Sequence, residues 1–532
     1  MRGRQAGSGL LNWQLGGCYQ PSARPVSHGV VDDAGYLLVT EPGGQPMTEL
    51  GDAGRPRHTS RRNFLRYSAA GGLIIGGGVL VGSSTGQDPA VGKFYVSNDG
   101  SDANTGRTPG EAWLSVAKVN SALATREVRH GDVVMFRRGD EFFGNIDSIP
   151  RVGGPGPRLT LTAYGVGPRP KISGYKLVES PDAWHLDRPG VWRIDVTDKS
   201  SYTGNTGNKS SNTGFILVDG MIHGAKKWTL DELSVQWDFF NDARFLYVRS
   251  DENPARLANS LRVAVDGDII TGQSRLLVSG LDLCGTGGNG YDQTAAHHTE
   301  IVDCHVGPVG GSELFPRVRY GNGVQIWFGS SDSLIHHNEF TEVYDVATTI
   351  QGVQKGSNIG ATRCSFRSNT IFNCTQSFEY GVIGSQFGDG AGIVGCDFTD
   401  NVCVGGGRSW GYATREDKDG KGNFLLAYWQ DGPIDIQARR NVFFDAVDCY
   451  MFVNTNDFRF KKGFVSDENT IALRPGTLIQ ALHPYTIEQA DRWVAETGRE
   501  VHSKWMQVPA SVASPHDARA YVTQNLATLR ER

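Results

Sequence analysis

Short apolar runs separated by polar residues recur through the second half of the chain. Within residues 323–327 and 433–437, apolar and polar residues alternate, which is the pattern of a β-strand that buries one face. An asparagine that follows a polar residue and stands two positions before an apolar one also returns, at intervals of 31, 32, 40 and 28 residues. These positions are Asn338, Asn369, Asn401, Asn441 and Asn469.

The repeat predicts a stack of similar coils, each made of two or three short strands. A coil of this kind cannot bury its apolar side alone, so neighbouring coils must stack to form a continuous core. Asparagine tolerates left-handed backbone geometry and forms hydrogen bonds between turns, which suits a repeated corner. Cys304, 34 residues before Asn338, occupies the same slot in an earlier copy. A β-sandwich gives no such asparagine ladder, and a β-propeller repeats every 40–45 residues with other marks.

Segments outside the repeat resemble known proteins. Residues 94–106 (FYVSNDGSDANTG) and 113–117 (WLSVA) resemble the opening of bacterial β-helix carbohydrate-active enzymes, which leads into a capping helix. The resemblance covers roughly residues 93–510 and is specific for the superfamily of β-helix glycoside hydrolases and polysaccharide lyases, not for one family. It implies an all-β fold, a right-handed parallel β-helix of the pectate-lyase type, which acts on a polysaccharide or oligosaccharide.

The fold prediction divides the chain into six parts. The spacing of Thr486 and Gln489 predicts a capping box in the last part, and Gly498 predicts a helix end. The parts are an N-terminal extension (1–56), a signal segment (57–88), an N-terminal cap with the first coils (89–175), a β-rich insertion (176–260), the β-helix core (261–475) and a helical tail (476–532).

The signal segment contains residues 60–66 (SRRNFLR) before a glycine-rich apolar stretch. This arrangement resembles a bacterial twin-arginine signal, which implies export by the twin-arginine translocase and an extracytoplasmic location. The apolar stretch is too short and too rich in glycine for a transmembrane helix. Met47 would give a signal of conventional length, so residues 1–46 are interpreted as an over-extended start.

Composition, net charge and cysteine spacing argue against several classes of protein. Glycine supplies 69 of the 532 residues, about 13%, against a usual share of about 7%, which fits many tight turns. A net charge of −5 gives no support for nucleic-acid binding. None of the eight cysteines forms a C-x-x-C pair, which argues against a zinc ribbon or a thioredoxin-like site and favours buried free thiols.

A carboxylate pair is the predicted catalytic group. Glu379 lies between Phe378 and Tyr380, so it points out of its strand if the two aromatic rings point into the core. Asp345 lies one coil earlier, and neighbouring strands are about 4.8 Å apart, which brings two acids towards the separation needed for glycosidic cleavage. The alternatives are a turn-forming aspartate and a solvated glutamate. The reserve catalytic acids are Asp389 and Asp417.

Polar and aromatic residues on the same or adjacent coils are predicted to bind the sugar. Aromatic faces suit stacking against sugar rings, and the amides and the guanidinium suit their hydroxyls. The predicted substrate-binding residues are Gln325, Trp327, Gln351, Trp410, Tyr412 and Arg415.

Two other classes of function remain open. A polysaccharide lyase would use a base to remove the proton next to a uronate carboxylate, and calcium would be its cofactor. A non-catalytic carbohydrate-binding surface protein would need no acid pair. We expect no transition metal, because adjacent histidines such as His336 and His337 face opposite ways on a strand, and we expect a monomer. The candidate lyase groups are Arg319, Lys355, Arg408, Arg415 and His337.

Overall fold

The computed structural model describes residues 30–31, 37–38, 91–351, 360–382, 392–415, 422–430, 433–454, 463–480 and 484–531. The chain divides into two units, residues 1–85 and 86–532. In the first unit, the described strands Val30–Val31 and Leu37–Leu38 pair antiparallel. The predicted signal segment lies outside the described residues, so export stays a prediction. Across the described ranges, no helix is long and apolar enough to cross a membrane.

The second unit is the predicted right-handed parallel β-helix. Successive coils contribute strands to three long sheets, which we call sheets I, II and III, and the coils stack along the chain. Strand residues alternate between the interior and the outside.

Sheet I holds nine of the described strands, parallel except for the last. Its strands are Ile270–Gly272, Tyr291–Gln293, Val324–Trp327, Val346–Gln351, Gln376–Val382, Asn423–Gln430, Cys449–Asn454, Leu478–Gln480 and Pro484–Tyr485.

Sheet II holds eleven of the described strands. They are Lys93–Val96, Val133–Arg137, Leu159–Tyr164, Leu276–Ser279, Glu300–Val302, Leu334–His336, Ala361–Thr362, Ser365–Arg367, Ile393–Thr399, Ile434–Arg439 and Phe464–Asp467.

Sheet III holds ten of the described strands. They are Glu141–Phe143, Lys171–Ser173, Asp282–Cys284, His305–Val306, Glu339–Thr341, Thr370–Phe372, Val402–Val404, Val442–Phe444, Thr470–Leu473 and Lys504–Gln507.

The predicted asparagine ladder stands at the corner between sheets II and III. Each asparagine N–H donates to the side-chain oxygen of the next asparagine at 2.9–3.0 Å, and the side-chain amide donates to the same oxygen at 3.1 Å. The backbone of Cys304 donates to Asn338 at 2.9 Å, so Cys304 occupies the predicted slot. The ladder satisfies polar groups that the interior would otherwise leave unpaired.

The left-handed geometry that the sequence suggested for the asparagines belongs to the residues before them. These residues turn the corner with φ of 54–59°, and the asparagine itself is left free to bond along the stack. They are Asp303, His337, Ser368, Asp400, Arg440 and Glu468.

Two β-sheets of the insertion pack on the first coils. Their shared core contains Trp184, Trp192 and Trp237, and the strand Thr213–Val218 forms a hairpin with Met221–His223. The remaining strands are Lys176–Leu177, His185–Arg188, Val191–Asp195, Thr203–Gly204, Phe239–Asn241, Phe245–Arg249 and Leu261–Val265.

Helices cover the ends of the β-helix. The predicted capping helix, Val116–Ala124, buries Val116, Val119 and Leu123 in the main core. The capping box at Thr486 and the left-handed helix end at Gly498, with φ of 64°, are both present. The other described helices are Pro254–Leu257, Trp410–Thr414, Ala490–Thr497 and Pro515–Arg530, with 3₁₀ turns at Pro109–Glu111, Pro181–Ala183, Leu230–Glu232 and Ile487–Gln489.

Candidate functional site

The outer face of sheet I carries a column of polar side chains. Its members are in register on four successive strands and are Asp292, Gln325, Thr349 and Glu379. Phe378 and Tyr380 lie in the core, so Glu379 points away from the interior as the alternation predicts. The stacked coils therefore place this carboxyl group on a polar face.

Glu379 is nonetheless shielded from solvent, with 6% of its surface exposed. Its Oε2 accepts hydrogen bonds from Thr349 Oγ1 at 2.9 Å and from Gln351 Nε2 at 3.1 Å. Burial, and next the charge of Asp345, raises the pKa of Glu379 to about 8. The carboxyl group is therefore protonated at neutral pH.

Asp345 supplies the second carboxylate but is not the lateral neighbour of Glu379. That neighbour is Thr349, and Asp345 precedes it by four residues, just before the strand Val346–Gln351. The two acids lie on adjacent coils, as predicted, and the strand register offsets them along the sheet. They still interact, since Asp345 contributes to the raised pKa of Glu379.

Arg415 joins the carboxylate of Asp345 through an ion pair, with Nη1 at 2.6 Å from Oδ1. Only 8% of the Arg415 side chain is exposed, so water screens this pair weakly. Arg415 also lies 5.5 Å from the centroid of the Tyr344 ring. The predicted sugar-binding arginine thus contacts the acid pair directly.

A second buried arginine joins three elements above sheet I. Arg319 lies on the hairpin formed by Ser312–Phe315 and Val318–Tyr320, and 1% of it is exposed. It donates a hydrogen bond to the carbonyl oxygen of Thr414. Its guanidinium lies over the rings of Trp228, at 5.5 Å, and Tyr344, at 5.2 Å. The contacts show Arg319 bridging the insertion, the hairpin and the short helix.

Trp410 and Tyr412 belong to the short helix Trp410–Thr414, which precedes the sheet I strand Asn423–Gln430. This coil is longer than its neighbours, and the side chain of Ser409 begins a helix by accepting a hydrogen bond from the N–H of Tyr412. Trp410 packs against Phe215 and Tyr344 at 5.1 and 5.0 Å between ring centroids. Its half-buried ring therefore holds the helix in place.

The remaining predicted binding residues lie on sheet I. Gln351 is bonded to Glu379 and Thr349, whereas Gln325 donates to Asp292 at 2.7 Å. Trp327 is half-buried on the same strand as Gln325. Gln351 thus contacts the acid directly, and Gln325 belongs to a different group of acids.

The remaining candidate catalytic residues are either outside the described ranges or bonded to groups other than Glu379 and Asp345. Asp389, Asp417 and Lys355 fall outside the described residues. His337 turns the corner between sheets II and III, away from sheet I, and its Nδ1 lies 2.7 Å from Nδ1 of His336. The adjacent histidines thus contact each other, contrary to the strand argument, because the corner interrupts the strand. Arg408 pairs with Asp445 at 3.2 Å.

Sequence reasoning missed a second group of acids on the first coils. We call Asp266, Asp268 and Asp292 the first-coil acids. Burial raises the pKa of both Asp268 and Asp292, and each has another of these acids as a further cause. Tyr320 donates a hydrogen bond to Asp266. Asp292 lies between the core residues Tyr291 and Gln293, so the alternation that singled out Glu379 also marks it.

No set of three or more potential metal ligands comes together in the parts of the chain that the structure describes. Some acids and histidines on neighbouring coils instead bond to each other. His305 Nδ1, for example, lies 2.6 Å from Asp282 Oδ1.

No protein-family model matches the chain, and no curated protein matches its sequence. Solved structures do show similarity. XylC with xylose is 9% identical over 78% of this chain and 82% of its own, with a TM-score of 0.44. Pectate lyase Pel9A is 12% identical over 79% and 78%, with a TM-score of 0.39. A lacto-N-biosidase from Eubacterium ramulus is 13% identical over 78% and 68%, with a TM-score of 0.31. These similarities do not decide a reaction or a substrate.

Proposed function

We propose that the protein is a carbohydrate-active enzyme that hydrolyses glycosidic bonds in a polysaccharide or oligosaccharide. Glu379 is the proton donor, and Asp345 is the ionised carboxylate that activates water or attacks the sugar. The outer face of sheet I, beside the helix Trp410–Thr414, is the proposed binding surface.

A buried, hydrogen-bonded carboxyl group at Glu379, together with the Asp345–Arg415 ion pair, is the observation that carries this proposal. Glycosidic cleavage needs one carboxyl group that is protonated at working pH and a second that is ionised. Burial and the charge of Asp345 keep the proton on Glu379, with a pKa of about 8. The 2.6 Å ion pair with Arg415 stabilises the negative charge of Asp345. Glu379 and Asp345 would thus supply the protonated and the ionised carboxyl group that the reaction requires.

In the reaction, Glu379 would donate its proton to the oxygen of the departing sugar. Thr349 and Gln351 already hold its carboxyl group, which limits its rotation before the substrate arrives. Arg415 fixes Asp345 and would also contact substrate hydroxyls at this end of the face.

A polysaccharide lyase is the second candidate, favoured by the two buried arginines. Arg319 and Arg415 both lie within 5.5 Å of the Tyr344 ring centroid, and a guanidinium is suited to neutralising a uronate carboxylate. In that reaction a base removes a proton from the sugar, and protonated Glu379 would not be the group that starts it.

The test is an activity survey of the full chain on neutral and acidic polysaccharides. Each reaction is followed in parallel by new reducing ends and by ultraviolet absorbance of an unsaturated product. New reducing ends without absorbance, lost in Glu379→Gln, support hydrolysis. Absorbance that rises with the reducing ends contradicts hydrolysis and supports the lyase. Absence of both on every substrate contradicts catalysis and supports a binding protein.

Export by the twin-arginine translocase is a separate proposal. It rests on the residues SRRNFLR at 60–66. Replacing both Arg61 and Arg62 by lysine should retain the protein inside the cell, and cell fractionation measures this. Unchanged export of the double variant would contradict the proposal.

A further inference from the structure

Two cysteines face each other across neighbouring coils of sheet II. Thr362 pairs with Val394, and Ser365 pairs with Asp397, so the same register places Cys364 opposite Cys396. Adjacent strands are about 4.8 Å apart, which lies inside the range of Cα separations that a disulfide spans, roughly 4.4–6.8 Å. The backbone therefore needs little movement to link the two residues.

The two side chains share the interior of the β-helix and are in contact. Cys364 and Cys396 are 0% and 2% exposed, and the N–H of Cys364 donates to Cys396 Sγ at 3.4 Å. A hydrogen bond from the Cys396 thiol lowers the pKa of Cys364, which favours the thiolate, the form that attacks a disulfide. Cys364 is thus the better nucleophile of the two.

On the coils on either side of this pair, the positions in one column with Cys364 and Cys396 are not cysteines. Below Cys364 the register continues to Ser333 and then to Thr299, whose hydroxyl donates to Ser333 at 2.8 Å. Above Cys396 it continues to Ile436. The column therefore contains a pair of adjacent cysteines between a hydroxyl ladder and an apolar residue.

Three other described cysteines lie on paired strands, and none of the three has a cysteine as its register partner. Cys284 pairs with Ser173, Cys403 pairs with Ile371 and Phe443, and Cys449 pairs with Leu478. All seven described cysteines are buried, as expected, and all are thiols in this structure. Register thus singles out one pair.

We propose that Cys364 and Cys396 are an oxidation site and form a disulfide between two coils when the chain folds in the presence of a small or protein disulfide. The Cys364 thiolate attacks that disulfide, forms a mixed disulfide and releases one thiol. Cys396 then loses its proton and attacks the Cys364 sulfur, which releases the second thiol. One external disulfide is reduced to two thiols as the two cysteines lose two electrons and two protons.

The test uses the full chain, refolded with and without glutathione disulfide and then alkylated under denaturing conditions. Trypsin cuts after Arg363, Arg367 and Arg408, which separates Cys364 on residues 364–367 from Cys396 on residues 368–408. We expect mass spectrometry to find these two peptides linked, with Cys374 and Cys403 alkylated. Without glutathione disulfide, all these cysteines should be alkylated.

Two cysteine variants and a thermal unfolding measurement test the proposal further. Cys364→Ser should leave Cys396 alkylated, whereas the matched control Cys374→Ser should keep the link. The link closes a loop across 32 residues and should raise the midpoint of thermal unfolding by roughly 5 °C, a gain that a reductant removes. Alkylation of both Cys364 and Cys396 after oxidative refolding would overturn the proposal. So would a link from either residue to another cysteine.

Discussion

Two groups of acids on the outer face of sheet I invite comparison: the pair Glu379 and Asp345, and the first-coil acids. Glu379 and Asp292 both alternate with core residues, and burial raises the pKa of both. A buried carboxyl group with a raised pKa is therefore not specific to one place on this face. The pKa values of Glu379 and Asp292 are raised because the surrounding protein shields both carboxyl groups from water.

The partners of the two groups differ. Asp345 is held by the buried guanidinium of Arg415. The first-coil acids receive neutral donors: the Gln325 amide bonds to Asp292, and the Asn289 amide bonds to Asp268 at 3.0 Å. Within the described ranges no salt bridge reaches them. A cation beside one member separates the protonation states of a pair, which is what acid and base catalysis requires.

The two groups cannot form one catalytic pair. Asp292 and Glu379 are three strand spacings apart, roughly 14 Å, whereas glycosidase carboxyl groups are separated by about 5–9.5 Å. The choice therefore lies between the two groups, and the ion pair of Arg415 with Asp345 favours Glu379 with Asp345.

The largest expected effect is on activity. Glu379→Gln keeps the shape of the side chain but removes the proton donor, so kcat/KM should fall by about 10²–10⁴-fold. Asp292→Asn is the matched control and should change kcat/KM by less than about tenfold. Steady-state kinetics on the substrate found in the survey measures both. A larger loss in Asp292→Asn than in Glu379→Gln would reverse the assignment.

The next effect is on the alkaline limb of the pH profile of kcat/KM. Two variants should shift this limb in opposite directions. The charge of Asp345 raises the pKa of Glu379, and that of Arg415 lowers it. Asp345→Asn should therefore move the limb to lower pH, and Arg415→Gln should move it to higher pH, while both reduce kcat/KM by about 10²-fold. A limb that stays in place in both variants would mean that Glu379 is not the titrating acid.

The third effect concerns stability and should be shared by both groups. The pKa of Glu379 is raised in the folded state, so its contribution to stability is complete below the ordinary glutamate pKa and is lost as pH rises to about 8. Relative to wild type, Glu379→Gln should therefore gain free energy of unfolding from acidic to mildly alkaline pH, on the order of 3 kcal/mol.

Asp292→Asn should show a gain of the same sign, because burial raises the pKa of Asp292 as well. Urea denaturation at several pH values measures both variants. A pH-independent difference in either variant would contradict the raised pKa of that acid.

The smallest effect is expected at Tyr320. Tyr320→Phe removes one hydrogen bond to Asp266 and should lower the free energy of unfolding by about 1 kcal/mol, with unchanged kcat/KM. Tyr320 bonds to one of the first-coil acids, so a strong loss of activity would give that group a catalytic role.

Sequence periodicity predicted the β-helix because its signal is local and repeated. Asn369 and Asn401 occupy the same corner in successive coils, and the alternation around Glu379 gave the correct face. Register along the strand was harder, since an offset between Asp345 and Glu379 depends on how each corner is turned. The helix that carries Trp410 could not be predicted from the repeat, because one coil lengthens before its strand and inserts it.

The first-coil acids were missed for a different reason. Asp266 and Asp268 precede a strand of sheet I, whereas Tyr320 reaches them from a hairpin 54 residues away from Asp266. No repeat or spacing in the sequence marks such a contact. The alternation around Asp292 was a usable signal, but the coils before Asn338 lack the asparagine that aligned the later ones.

The protonation of Glu379 can be measured without knowing the substrate. Infrared difference spectra of wild type minus Glu379→Gln, recorded across pH, isolate the carbonyl band of the protonated side chain. We expect this band to persist at neutral pH and to disappear with a midpoint of about 8. A midpoint near the ordinary value of about 4.3 would contradict it, because Glu379 would then be ionised at neutral pH and have no proton to donate.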